Sequence, residues 1–228
     1  MNPLRRDQRR AAAEALTEAF FDDPLLELLA PDPARRASAG RWFFQTSVDY
    51  GLRWGRVWAA GDVAAVSVWL PPGTRFDPLR SLRVGMGAFP FRVGWRPMRR
   101  IVGIAPALER LHRTVRGPHW YLMTIGTRPS RRGEGLGSAV LTAGTAQADV
   151  DAAPCYLETS TQRAVDFYLR HGFEVVGRED VQGHVLFGLI RPARKATVAR
   201  AECACIREDQ RAAKPASLTS LQAAGAAP

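Results

Sequence analysis

The chain has 228 residues, 46% hydrophobic and 24% charged, with a formal net charge of +10. That suffices for one domain with a full core and is ordinary globular composition. No apolar run reaches membrane-spanning length, the N-terminal MNPLRRDQRRAAAEAL lacks a signal peptide's apolar core, and Cys155, Cys203 and Cys205 are too few and irregular for a disulfide framework or zinc site.

Asp7 to Phe21 carries Ala11, Ala15, Leu16, Ala19 and Phe20 at helical spacing, with Asp7 as the expected N-cap and Asp22-Asp23-Pro24 as the break. A second helix is expected from Pro33 or Ala37 to Leu52, with Trp42, Phe43, Thr46 and Tyr50 along one side. Val57–Ala60 and Val63–Leu70 read as a hairpin around Gly61-Asp62. Residues 74–117, broken by glycines and prolines, are expected to hold short helices near 76–88 and 97–114.

Trp120 to Thr127 is rich in aromatic and β-branched residues and reads as a strand. Pro129 ends it, having no N–H to give a ladder. Then follow Arg132-Gly133-Glu134-Gly135-Leu136-Gly137-Ser138 and a helical run to about Val150. A strand, a glycine turn and a helix start make an anion site, because free N–H groups and the positive dipole end converge there. A pyrophosphate suits it. The P-loop is excluded, because the chain's only lysines are Lys195 and Lys214. The dinucleotide fingerprint fails too, since Gly133, Gly135 and Gly137 are spaced GxGxG rather than GxGxxG.

Cys155 to Thr159 is a short strand, and Thr159-x-x-Gln162 reads as a capping box for a helix ending at Leu169. Gly172 ends that helix. Phe173–Val181 and His184–Arg191 form a last hairpin through Gln182-Gly183. Residues 193–228, alanine-rich and without an aromatic residue, are expected to be a mostly disordered tail.

The motif Arg132-x-x-Gly135-x-Gly137 resembles the coenzyme A loop of the GNAT N-acetyltransferases. Trp120-Tyr121-Leu122, Gly133 to Val140, Leu157-Glu158-Thr159-Ser160, Phe167-Tyr168 and Gly172-Phe173 resemble the runs of puromycin N-acetyltransferase and its relatives. The likeness is strong over 118–192, looser over 8–73 and thin over the insert, where such enzymes shape the acceptor pocket. It implies an α/β fold with a mixed, mostly antiparallel sheet, splayed between its fourth and fifth strands and flanked by helices, over residues 1–192. It further implies acetyl transfer from acetyl-CoA to a small primary amine, with antibiotic resistance as a role and an aminonucleoside such as puromycin as one acceptor. The alternative is a coenzyme A-binding module without turnover.

On that resemblance the N–H groups of Arg132, Gly133, Glu134, Gly135, Leu136, Gly137 and Ser138 hold the pyrophosphate, with Arg128 and Arg131 as nearby charges. The Thr124–Thr127 edge aligns the pantetheine, the Ile125 N–H polarises the thioester carbonyl, and Ser160 contacts the cofactor or caps a helix. Glu158 is the base, directly or through a water; its alternative is a solvent-facing carboxylate serving the next helix's dipole. Tyr168 is the acid; its alternative is core packing beside Val165 and Leu169. His119 is a second candidate base, and Cys155 reads as a buried small hydrophobe. No metal is expected. The expected partners are acetyl-CoA and a small amine, without a membrane, in a cytoplasmic monomer or homodimer. Scattered arginines without interleaved aromatics argue against nucleic acid. Members of this fold usually open with a strand, yet only Asn2 to Arg6 precede Asp7. A tail segment, Thr197–Ala201, is one candidate to fill that edge.

Overall fold

A computed structural model describes residues 2–74, 77–181 and 183–194. Seven strands form one sheet in the order β1-β2-β3-β4-β5-β7-β6: Asn2–Pro3, Arg56–Ala60, Ala65–Leu70, Trp120–Thr127, Cys155–Thr159, His184–Arg191 and Glu174–Val181. Neighbours are antiparallel except β4 and β5. All six β3 residues are buried, because helices cover both its faces. Arg9–Ala19 (α1) and Pro33–Trp54 (α3) pack Leu16, Phe44 and Val48 on Val57, Val66 and Val68. On the other face Leu136–Val150 (α7) and Gln162–Leu169 (α8) pack Leu141 and Val165 on Trp69, Leu122 and Leu157. α7 lies directly on the Trp69 indole: a Cβ at Gly144 would come within 2.1 Å of it, so only glycine allows that approach.

The splay is present as expected. β4 pairs with β5 only through Trp120↔Cys155 and Tyr121↔Tyr156, and then the strands part. The closed end is pinned by Arg191, whose guanidinium grips Asp149 at 2.7 and 2.8 Å, and by Trp120, whose Nε1 donates to Asp151 at 2.9 Å. Within the open end the β3–β4 register slips between Val68↔Thr124 and Trp69↔Leu122. Met123 is the extra residue of that bulge, a feature that bends the strand and re-aims its backbone.

The opening edge is covered by Asn2 and Pro3, which pair with Ala59 and Trp58, while the Leu4 N–H donates to Val57 O at 2.8 Å. Pro3 suits an edge, having no donor for a further strand. Thr197–Ala201 lies outside the described residues.

Four local expectations are corrected. Asp7 does not cap α1; it sits in a 3₁₀ turn, Arg6–Gln8, and bonds the Arg5 side chain. Pro24 starts a helix rather than only breaking one: Pro24–Leu29 is α2, and Pro is tolerated at the first helical position, where the missing N–H costs nothing. The first hairpin turn spans Gly61–Ala64, with Gly61, Asp62 and Val63 all at positive φ; Ala64 N closes it onto Gly61 O at 3.0 Å, and Ala64 O accepts from the Arg128 N–H. Thr161 caps α8, accepting from Ala164 N, while Thr159 stays in β5. The insert folds as Pro78–Arg83 (α4), a 3₁₀ turn at Met86–Ala88, Phe89–Val93 (α5) and Trp95–His112 (α6). α6 lies across β6 and β7, and its Ile104, Ala107 and Leu111 close over Leu186.

Candidate active site

The glycine turn follows β4 as expected. The Arg128 N–H holds Ala64 O at 2.8 Å, Pro129–Arg131 make one 3₁₀ turn, and Gly133 and Gly135 adopt φ of 88° and 74°. Gly135 is the N-cap of α7 and has no side chain to satisfy the helix's first N–H groups. The helical ladder starts only where Ala139 N bonds Gly135 O at 2.9 Å. Leu136, Gly137 and Ser138 therefore present the unpaired donors of a first turn. A Cβ at Gly133 or Gly135 would meet nothing within 4 Å. The space over these glycines is an open cradle, so the residues fit a pyrophosphate approached by backbone. Thr127 lies under the cradle, its Oγ1 3.1 Å from where a Gly137 Cβ would sit.

The loop arginines are tied to the protein. Arg131 grips Glu134 at 2.5 and 2.7 Å, Arg132 donates to Ala19 O at 3.0 Å, and Arg128 pairs with Glu18. The Arg131 bond holds the Glu134 carboxyl below its ordinary range. Ile125 follows the bulge and packs in the α7/α8 core. From Leu122 to Thr127 the β4 edge facing β5 has no ladder partner among the described residues. Ser160 is half-buried and precedes the cap Thr161, so it does not cap α8 itself.

Glu158 stands two residues past the last β4–β5 pair. It is not a solvent-facing carboxylate: its side chain is 7% exposed. Strand alternation puts Tyr156 and Glu158 on one face, toward α6. Glu158 Oε1 lies 3.5 Å from Nδ1 of His112, in the last turn of α6. Among the described residues, Glu158 Oε2 and the Tyr156 hydroxyl are both buried without a hydrogen-bond partner. His112 sits edge-on to Tyr121 and Tyr156, which stack at 6.2 Å. His112 Nε2 is 3.1 Å from His119 Nε2, and His119 Nδ1 is 2.9 Å from Gly117 O. Burial first, and the Glu158 charge second, push the Tyr121 and Tyr156 phenols well up, so both stay protonated at any working pH.

Tyr168 is 6% exposed on the α7/α8 face, against Phe167 and Phe173, and burial pushes its phenol up as well. Cys155 is a buried small hydrophobe as expected, its thiol pushed up to about 12 by burial. Tyr50 is fully enclosed, leaning on Trp54, and its hydroxyl accepts from Asp77 N. Trp42 and Phe43 pack on the α1/α3 core, Trp42 against Phe89. The aromatic stripe of α3 is therefore core and does not line the cleft. A surface hollow bounded by Arg53, Trp54, Arg56 and Gln147 lies at the closed, Trp120 end of β4, and neither the glycine turn nor Glu158, His112, Tyr121, Tyr156 or Tyr168 lines it. The described residues hold no group of three or more His, Cys, Asp or Glu placed for a metal, and no helix long and apolar enough to cross a membrane.

Residues 96–175 match the acetyltransferase (GNAT) domain family. Over that stretch the chain is similar to the GNAT acetyltransferases, which supports an acyltransferase activity. A similar uncharacterised N-acetyltransferase of Schizosaccharomyces pombe is 28% identical over 176 residues, 74% of this chain and 71% of the relative. A solved Corynebacterium glutamicum structure, described as histone acetyltransferase HPA2 and related acetyltransferase, is similar in fold. Its TM-score is 0.57 at 24% identity over 86% of this chain and 97% of that one. So is a Drosophila melanogaster polyamine N-acetyltransferase that forms N-acetylagmatine, with TM-score 0.55 at 13% identity over 81% and 94%.

The sequence singles out the loop, Glu158 and Tyr168 as candidates but not His112, Tyr121 and Tyr156, which the fold places around Glu158. The available signal was weak: a histidine closing an amphipathic helix, and tyrosines at same-face positions of two strands.

Proposed function

We propose that the chain moves an acetyl group from acetyl-CoA directly to the primary amine of a small molecule, with an aminonucleoside such as puromycin as the first acceptor to test. The observation that carries this reading is the buried Glu158 carboxylate, with one oxygen unpartnered among the described residues, at the open end of the splay between β5 and the strand that leads into the glycine turn. A carboxylate out of water is costly unless a cation or donor meets it. An acceptor arriving as an ammonium supplies that charge and the proton to be removed.

When bound, acetyl-CoA supplies an activated acyl thioester. The α7 first turn and the loop N–H groups hold its pyrophosphate, and the unpaired edge of β4 aligns its pantetheine arm. The Ile125 N–H donates toward the thioester carbonyl. Glu158 takes a proton from the acceptor nitrogen, which bonds to the acetyl carbon as the carbon–sulfur bond breaks. Tyr168 gives its hydroxyl proton to the departing sulfur and recovers one from solvent. Tyr121 and Tyr156 flank Glu158 with protonated hydroxyls and π faces that favour a cation.

The test is thiol release from acetyl-CoA with a panel of amines that includes puromycin and agmatine, the latter because the fly relative is named for its acetylated product. Amine-dependent release is expected. A folded chain that binds acetyl-CoA yet releases no thiol above background with any amine overturns the proposal in favour of a binding module.

A further inference from the structure

We infer that His112 and His119 form a proton relay that carries the proton collected by Glu158 to the surface; this rests on the reading of Glu158 as the base. Three contacts lie in a row. Glu158 Oε1 faces His112 Nδ1 at 3.5 Å, His112 Nε2 faces His119 Nε2 at 3.1 Å, and His119 Nδ1 faces Gly117 O at 2.9 Å. Burial falls away along that row: Glu158 is 7% exposed, His112 25%, and His119 is half-buried beside the exposed Gly117.

The proton count gives the row its direction. Gly117 O can only accept, so His119 carries its proton on Nδ1 and offers a lone pair at Nε2. His112 must then donate from Nε2. Two neutral rings so use their two protons on the two short contacts. His112 Nδ1 is left as a bare lone pair facing a carboxylate oxygen, and that third contact is the long one, too long for a closed hydrogen bond. A proton delivered to Glu158 completes it. The carboxylic acid then donates to His112 Nδ1, His112 Nε2–H passes its proton to His119 Nε2, and His119 Nδ1–H releases one to water. Each ring gains one proton and loses one, Glu158 returns to carboxylate, and exchange with water, one proton leaving and one arriving at the other nitrogen of each ring, restores the starting tautomers. The net change is one proton moved from the acceptor nitrogen to solvent. His112 and His119 touch neither acceptor nor sulfur in this scheme; they serve Glu158.

Two experiments on the full chain decide the matter. In long-range proton–nitrogen NMR at a pH where both rings are neutral, His119 is expected as the Nδ1–H tautomer and His112 as the Nε2–H tautomer; the opposite pattern in either ring overturns the relay whether or not an acceptor is known. With an amine that the wild type acetylates, His119→Ala is expected to lower kcat about 10- to 100-fold, at or below the low end for loss of an acid–base group. The KM for acetyl-CoA should stay within about twofold, as expected where only the chemical step is touched. Added imidazole should restore most of the rate by filling the surface end of the row, whereas the weak base pyrazole should not. His119→Gln serves if the alanine variant is unstable. A folded variant at the wild-type kcat, or a loss that imidazole leaves unchanged, overturns the relay. If the wild type acetylates no amine, the proposed function fails instead, and the tautomers still judge the row.

Discussion

The proposed cofactor cradle and the proposed proton site are built in opposite ways. The cradle uses one consecutive stretch, Thr127 to Ser138, and works through backbone N–H groups that glycines leave uncovered. The proton site gathers Glu158 and Tyr156 from β5, Tyr121 from β4, His119 before it and His112 from the insert helix, and works through side chains. A local device depends on conformation, so its essential residues are those with a special φ. An assembled device depends on which oxygen faces which nitrogen, and single functional groups are essential.

The largest effect should come from breaking the cradle. Gly135→Val puts a β-branched residue at φ 74°, where L side chains are strained, and fills the open space above the loop. No atom within 4 Å opposes the new Cβ, so the core should survive while acetyl-CoA affinity falls at least about 100-fold, the pyrophosphate losing its backbone approach. Calorimetric titration with acetyl-CoA checks this. A folded variant with wild-type affinity would place the cofactor elsewhere.

Glu158→Gln should have the opposite signature: acetyl-CoA binding unchanged, kcat down about 10²–10⁴-fold, the range for a general base. Equal losses in binding and turnover would show that the two regions are one structural unit. Tyr168→Phe should do less, lowering kcat about 10- to 1,000-fold through loss of the sulfur's proton donor. The ring keeps its packing on Phe167 and Phe173, so the melting temperature should hold. Turnover at the wild-type rate, with chemistry limiting, would return Tyr168 to a packing role.

The same contrast explains what the sequence made legible. The strand, glycine turn and helix from Trp120 to Val150 are written in local chemistry: β-branched and aromatic residues, a proline stop, three glycines and an apolar period. Gly172 at φ 80° and the last hairpin were equally local. Asp7 and Thr159 were misread because an N-cap one or two residues away looks the same in sequence; a local bond to Arg5 holds Asp7 in the 3₁₀ turn, and pairing with β7 holds Thr159 in β5. The α3 aromatic stripe marks the limit of helical periodicity, which reports a buried face without saying what buries it. His112 was invisible for a harder reason: its value comes from α6 crossing β6 and β7, a long-range fact that glycines and prolines in the insert only obscure.

The smallest effect separates scaffold from site at the closed end of the splay. Arg191 is 4% exposed and its charge is met there by Asp149, whose side chain is 26% exposed. Asp149→Asn leaves a buried guanidinium short of its anion. Such a break costs about 3–5 kcal/mol when both partners are fully buried, and the partial exposure of Asp149 brings the expectation to about 1–3 kcal/mol. In a domain of this size that lowers the melting temperature by several degrees, about 2–4 °C per kcal/mol. The bond to Arg191 holds the Asp149 carboxyl below its ordinary range. A carboxyl with a depressed folded value gives its full stabilisation above the unfolded value, about 3.9, and loses it as pH falls through the folded one. The gap between wild type and variant should therefore be constant from about pH 5 to 8 and close below about pH 4. Acetyl-CoA affinity and kcat at 25 °C should not move, since the pair touches neither the cradle nor Glu158. Thermal melts across that pH range, paired with one activity measurement, test it. A gap as wide at pH 3 as at pH 7 would mean that the asparagine disturbs packing rather than charge. A fall in kcat without a fall in stability would mean that the closed end sets the geometry of the open one.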